Sequence, residues 1–518
     1  MLGGLVRIQG AGPCAHEQPA PVKRKKVVLL LPPYSGPPLG PPVGLLALAA
    51  VLRDAAYSVT VIDGAVTPGY LRKVEHETAG ALCFGVSLLT GPMIDGAVAA
   101  ARQVKRLRPD LPVIFGGWHP SLLPEQTLRE PFVDIVVRNQ GEKTLLEITD
   151  CLERGLSLDG VAGCSFKRDG RPVSNADRPV LRLGALPAPA YDLSDFDAYE
   201  QAGAKRTLPY ATSVGCPYAC SYCTDTVFYK RRFNALPAER VVSEVTRLVQ
   251  AHNIREVSLL DSNFLVDTGR AVTIARGFLA SGVRFSWTFQ ASTDLLCRMS
   301  DEDVALMGRS GLRHIGFGTE SGSAEVLSLM NKPHQTVPDM FESARKARQA
   351  GIRVTFNLIF GFPGETEKHR SETLGVMADI AARFDNVSFS PNLFTPYPGI
   401  PVWPELEKHG LQQPDSLEGW RDLALGANVL PWMRGEPERN VRRSMSLLLL
   451  ASKLAKQVRR TNSPARRLWL RSLQKPLDWR LRRQFFHWPV ELWLYQLQQR
   501  VAMRRSLLTG RALGYSMD

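Results

Sequence analysis

Hydrophobic positions fall into two series of short apolar runs alternating with helically spaced segments, divided by a proline-rich stretch. Val27–Leu31 is a continuous apolar run of the buried-strand kind, and Val43–Ala55 has helical spacing. Val59–Asp63, Leu82–Ser87, Val113–Phe115 and Asp134–Val137 predict further strands, with helices at Pro92–Leu107 and Gly141–Arg154. Strands alternating with helices imply a parallel sheet covered on both faces. Such a sheet takes ligands at the carboxyl ends of its strands. The stretch Arg178–Asp192, with Leu186-Pro187-Ala188-Pro189, predicts a linker. Beyond it, Ala211–Val214, Glu256–Leu260, Phe285–Gln290, His314–Gly318, Val354–Phe360 and Asn386–Pro391 are strand-like. Helical spacing at Pro237–His252, Asp301–Gly311 and Thr336–Ala350 separates them. Six βα units predict a partial or complete α/β barrel with its chemistry at the strand carboxyl ends.

Composition narrows the class. The 518 residues are 44% hydrophobic and 22% charged, which excludes a disordered chain, a fibre or a coiled coil. The longest apolar runs, such as Met445–Ala451, are too short to span a bilayer. Residues 1–24 show no periodicity and predict a flexible lead-in without the apolar core of a secretory signal. Eight cysteines are too few for a disulfide scaffold, so a reducing, cytoplasmic setting is expected. Net charge is +14, but Arg439–Asp518 alone holds 18 Lys/Arg against three acids. The high charge therefore belongs to the tail, and an anionic partner is to be sought there.

Three of the cysteines are clustered in Ser213-Val-Gly-Cys216-Pro-Tyr-Ala-Cys220-Ser-Tyr-Cys223, after a predicted strand. A structural zinc site usually takes four protein ligands, whereas three thiolates can hold a 4Fe–4S cluster with one iron open. Cys83, Cys151, Cys164 and Cys297 are scattered, and read as small buried residues.

In Cys216-x3-Cys220-x-Tyr222-Cys223 the chain resembles the radical SAM superfamily. Later segments agree in order: Leu259-Leu260-Asp261-Ser262-Asn263-Phe264, Gly318-Thr319-Glu320-Ser321-Gly322-Ser323 with Leu329-Met330-Asn331-Lys332, and Ile359-Phe360-Gly361-Phe362-Pro363-Gly364-Glu365-Thr366. The resemblance covers about Thr207–Pro404. It implies that Cys216, Cys220 and Cys223 are the catalytic cluster ligands. It further implies that Tyr222, Asp261, Asn263, Glu320, Ser321, Phe360 and Gly361 contact S-adenosylmethionine (SAM). Asp261 as a helix cap and Glu320 as a strand-end group are the plainer readings of those two carboxylates.

Residues 25–185 resemble the cobalamin-binding domain that precedes the barrel in one large radical SAM group. Leu31-Pro32-Pro33, Gly85-Val86-Ser87-Leu88-Leu89-Thr90, Phe115-Gly116-Gly117-Trp118-His119 and Gly141-Glu142 carry this resemblance. It implies a doubly wound, Rossmann-like domain contacting cobalamin through Pro33, Ser87, Leu88, Thr90, Gly116, Gly117, His119 and Glu142. The Asp-x-His-x-x-Gly motif that gives cobalt a histidine in many cobalamin proteins is absent, and prolines fill its place. His119 lies on a different loop, so cobalt without a protein histidine ligand is expected.

The expected organisation is α/β: a lead-in at 1–24, a cobalamin-binding domain at 25–185, a partial (β/α)6 radical SAM barrel with its linker at 186–430, and a basic helical module at 431–518. That module interleaves arginines with Trp469, Trp479, Phe485, Phe486, Trp488, Trp493 and Tyr495. Its plainest reading is a cap that packs tryptophans on the barrel. An interfacial segment at the inner face of a membrane comes second, and nucleic acid is disfavoured. The resemblance implies cobalamin-dependent methylation of an unactivated carbon in a small molecule or lipid, through a 5′-deoxyadenosyl radical and methylcobalamin. A flavodoxin- or ferredoxin-like protein would supply the electron. The alternative is ring contraction, oxidative cyclisation or oxygen insertion on a lipid or tetrapyrrole. A cobalamin sensor is disfavoured by the intact cysteine triplet, and a tRNA methylthiotransferase by the lack of a second cysteine set.

Overall fold

The structure, a computed structural model, describes residues 24–34, 36, 38–423, 430–483, 490–491 and 493. The lead-in and the tail residues Phe485, Phe486, Trp488 and Tyr495 lie outside the described residues.

The amino-terminal sheet contains β1 (Arg24–Leu31), β2 (Tyr57–Asp63), β3 (Ala81–Ser87), β4 (Val113–Gly116), β5 (Ile135–Val137), β6 (Cys164–Arg168) and β7 (Arg171–Ser174). Its order is β2-β1-β3-β4-β5-β6-β7. The first five strands are parallel and the last two antiparallel. Val27–Leu30 and Ala81–Val86 are buried throughout, as strands covered by helices on both faces must be. The order reverses between β1 and β3, which opens a crevice beyond their carboxyl ends. The pair β6–β7 was not expected, because its exposed half lacks an apolar pattern.

The second sheet contains β8 (Thr207–Tyr210), then, past a small ladder of β9 (Ser213–Val214) with β10 (Asn234–Ala235), β11 (Glu256–Leu259), β12 (Ser286–Ala291), β13 (Leu312–Glu320), β14 (Arg353–Phe360) and β15 (Val387–Leu393). Its order is β15-β14-β13-β12-β11-β8, all parallel. The two edges do not pair among the described residues, so this is an open, six-stranded partial barrel.

One boundary differs from expectation. The first barrel strand is Thr207–Tyr210, not Ala211–Val214. The chain leaves the sheet at Thr212, whose N–H and Oγ1 donate to the Asp261 carboxylate at 2.8 and 2.5 Å. Ser213–Val214 then pairs antiparallel with Asn234–Ala235. Gly215 makes the next turn at φ +76°, where a Cβ would collide with the Arg232 carbonyl.

Helices Glu436–Arg460 and Pro464–Arg483 complete the described chain. They pack on the barrel through leucines, Leu447, Leu448, Leu470, Leu477 and Leu481 being buried, while Trp469 and Trp479 are exposed. Among the described residues the buried contact of these helices is thus made by leucines, and Trp469 and Trp479 stay more than half exposed.

Candidate active site

Cys216, Cys220 and Cys223 are free thiols that line one cavity of ≈ 440 Å³ at the carboxyl ends of the barrel strands. β11 brings Ser262 and Asn263, β12 brings Gln290 and Ser292, β13 brings Glu320, and β14 brings Asn357. Burial raises all three thiol pKa values, that of Cys223 to about 12. Buried thiols of this kind become thiolates when a cation binds them. Among the described residues no three His, Cys, Asp or Glu side chains converge on a single-ion site. A ring of thiols around a wider cavity suits a multi-iron cluster.

The wall opposite is charged. Lys332 Nζ donates to Glu320 Oε1 at 3.0 Å and to the Gly318 carbonyl, and Tyr222 Oη donates to the same Glu320 oxygen at 2.7 Å. Burial would lower the Lys332 pKa, but Glu320 and Cys220 outweigh it and raise the value. Glu320 holds φ at +62°, an unusual conformation for a side-chain-bearing residue, which the buried pair stabilises. Asn263 Oδ1 is buried without a partner, while its Nδ2 lies 3.9 Å from Cys216 Sγ. A buried ion pair and an unsatisfied carboxamide beside the thiols fit the amino and carboxylate groups of SAM.

The expected SAM contacts therefore divide. Tyr222, Asn263 and Glu320 line the cavity; Asp261, Ser321, Phe360 and Gly361 stand behind it. Asp261 is taken up by Thr212 and Ser213, and so pins the loop that carries the cysteines. Its place as helix cap is filled by Asp267, which accepts from Arg270 N–H. Ser321 Oγ bonds Thr373 Oγ1 at 2.9 Å, and Phe360 is core. Gly361 donates its N–H to Glu365 Oε2 at 2.6 Å and accepts from Trp432 Nε1 at 3.0 Å. Burial pushes the Glu365 pKa up to about 7. Sequence reasoning placed Lys332 only within a matching segment, without a contact of its own, and missed Gln290 and Asn357 as lining residues. The period-two alternation in Trp287-Thr-Phe-Gln290 and Phe356-Asn357-Leu358 was the available signal.

A second cavity of ≈ 190 Å³ lies at the carboxyl ends of β3, β4 and β5. Gly85, Ser87, Gly116, Gly117 and Glu142 line it from the amino-terminal domain, and Val214, Phe228 and Tyr229 from the barrel. Gly117 sits at φ +91°, where a Cβ would lie 2.8 Å from the Leu88 carbonyl oxygen. Glu142 is buried enough that its pKa is raised, and its Oε2 has no partner. Gln140, which also lines the slot, leaves its Nε2 without a partner, and a glycine-walled slot with two orphaned polar atoms fits the nucleotide tail of cobalamin. Pro33, Leu88, Thr90 and His119 do not line it. Pro33 fills the space beside Gly64 and Gly96, while Leu88 braces the backbone through Gly116 and His119. His119 is fully buried, its Nδ1 3.0 Å from Thr90 Oγ1 and its ring edge-on to Trp420.

One short helix, Asp225–Phe228, divides the two cavities. Thr224–Thr226 face the cysteines, and Phe228 and Tyr229 face the glycine slot. Trp118, from the turn after Gly117, reaches over to line the cysteine cavity and packs on Phe228 with ring centroids 4.3 Å apart.

An open six-stranded parallel barrel with a ring of three free cysteines, behind a doubly wound domain with a glycine-walled slot, defines a radical SAM enzyme with a corrinoid-type partner domain. Residues 210–377 match the radical SAM superfamily, and residues 36–149 match the B12 binding domain. An uncharacterized methyltransferase of Pyrococcus horikoshii is 30% identical over 400 residues, covering 74% of this chain and 83% of the relative. The anaerobic magnesium-protoporphyrin IX monomethyl ester cyclase of Synechocystis is 26% identical over 344 residues, 63% and 67% of the two chains. Among solved structures, TsrM from Kitasatospora setae, a radical SAM methyltransferase with cobalamin and a 4Fe–4S cluster bound, aligns with a TM-score of 0.65 at 20% identity, covering 75% of this chain and 79% of that one. The chain belongs to the cobalamin-binding-domain family of radical SAM enzymes, and its cofactors are a 4Fe–4S cluster, SAM and cobalamin.

Proposed function

We propose that the enzyme transfers a methyl group to an unactivated carbon of a small molecule or lipid. The observation that carries this reading is the shared helix Asp225–Phe228, which puts the cysteine cavity and the glycine slot on its two sides. A substrate between them can face both groups at once. Bound there, the cluster, SAM and cobalamin supply the electron, the radical and the methyl group. The chain's own part is to hold and position: Cys216, Cys220 and Cys223 ligate iron, and Asn263 with the Glu320–Lys332 pair orients SAM. Trp118 and Phe228 wall the passage against water. The remaining assigned contacts, Asp261, Ser321, Phe360 and Gly361 for SAM and Pro33, Leu88, Thr90 and His119 for cobalamin, act as supports behind these walls. A one-electron reductant of the flavodoxin or ferredoxin type is required. The basic carboxy-terminal helices support a lipid substrate and peripheral contact with a membrane; no described helix is long and apolar enough to cross one.

Anaerobic reconstitution with cluster, cobalamin and SAM tests the reading. S-adenosylhomocysteine and 5′-deoxyadenosine should form in equal amounts with a product heavier by one methylene. A product without that gain would favour cyclisation, the chemistry in the name of the Synechocystis relative.

A further inference from the structure

Helix Pro464–Arg483 carries seven basic residues and a single acid, Asp478. Leu470, Leu477 and Leu481 share one face, buried against helices Glu436–Arg460 and Glu367–Arg383. At about 100° per residue, Leu468, Ser472 and Trp479 fall on the opposite face, with Trp469 at its margin. There Leu468 is 73% exposed, Trp469 59% and Trp479 53%. Arg467 and Arg471 are exposed along one edge of this face, and Lys475 is exposed within it beside Leu468 and Trp479. A helix that has already buried its core face has no need of three large, exposed apolar side chains among the cations of its other side, and a solvated face would be polar.

We propose that this face docks on an anionic membrane. Leu468 and the two tryptophans enter the headgroup boundary, and the flanking cations meet lipid phosphates. An aliphatic side chain between aromatic ones suits hydrocarbon better than stacked bases. This rests on the lipid side of the proposed function and not on methyl transfer; vesicle binding is read without SAM, so either can fail alone.

The test is flotation of the reconstituted full-length enzyme with phosphatidylcholine vesicles, with and without phosphatidylglycerol, while tryptophan emission is followed. The enzyme should float only with the anionic vesicles, with a blue-shifted emission, and less at high salt. Leu468→Ser with Trp469→Ser should release it. In Arg467→Gln, Arg471→Gln and Lys475→Gln, each lost cation should weaken partition about fivefold. SAM cleavage should be unchanged in both sets, showing that they fold. No flotation, equal flotation with neutral vesicles, retained flotation in both variant sets, or stripe-dependent binding of an oligonucleotide in place of vesicles would each overturn the proposal.

Discussion

Burial governs the ionisation of the individual site residues. Three thiols raised by desolvation share one cavity, and no fourth cysteine among the described residues lines it. Cys216→Ala, Cys220→Ala or Cys223→Ala should each remove cluster absorbance and SAM cleavage, because three thiolates leave no spare ligand. Cobalamin should still bind; 5′-deoxyadenosine from any of these variants would refute the cluster assignment. Glu320→Gln should leave iron content near normal and weaken SAM binding. Asp261→Asn should instead lower iron content, since Asp261 accepts from Thr212 and Ser213 at the head of the loop that carries the cysteines. Iron assays on the two variants separate these roles. Burial also lowers the pKa values of His119, His314 and His334 to about 4. The unfolded chain takes up these protons first, near pH 6.5, so their stability is complete above that value and is lost as pH falls toward 4. His119→Gln should flatten this decline by about 3 kcal/mol, measured by denaturant unfolding at stepped pH. The same variant should leave the paramagnetic resonance of cob(II)alamin unchanged, because His119 does not line the glycine slot.

At the scale of elements, the strands buried on both faces were legible because a parallel strand between two helix layers must be apolar at every position. Val27–Leu30 and Val113–Phe115 show this directly. The loop bearing the cysteines was misplaced because Ser213-Val214 has strand propensity yet pairs outside the barrel sheet. Its course depends on Asp261, distant in sequence, and on Gly215. Gly215→Ala should cost about 1–3 kcal/mol from the left-handed backbone alone, with more from the Arg232 clash. Cluster content after reconstitution should fall more than the melting temperature does; full iron occupancy would show that the loop tolerates a Cβ.

Across the whole molecule one core cluster joins Val28 and Phe115 of the first sheet, Leu208 and Phe317 of the barrel, and Leu477 of the last helix. The carboxy-terminal helices are thus part of the folded body, and Leu477→Ala should cost about 2–5 kcal/mol, read from thermal or denaturant unfolding. The sequence by itself determined the order of the two α/β units, the cysteine triplet, the glycine turn at 116–117 and the basic character of the tail. Each of these is written in local periodicity, spacing or composition. Only the tertiary structure decided which polar residues face a cavity. Asp261 is engaged by Thr212 and Ser213, which the fold brings to it, while Gln290 and Asn357 become wall residues through strand register and Lys332 through the turn after helix Ala324–Leu329. That division is physical: a motif specifies which groups are available, and the partners brought by long-range packing settle which of them remain unsatisfied and free to bind.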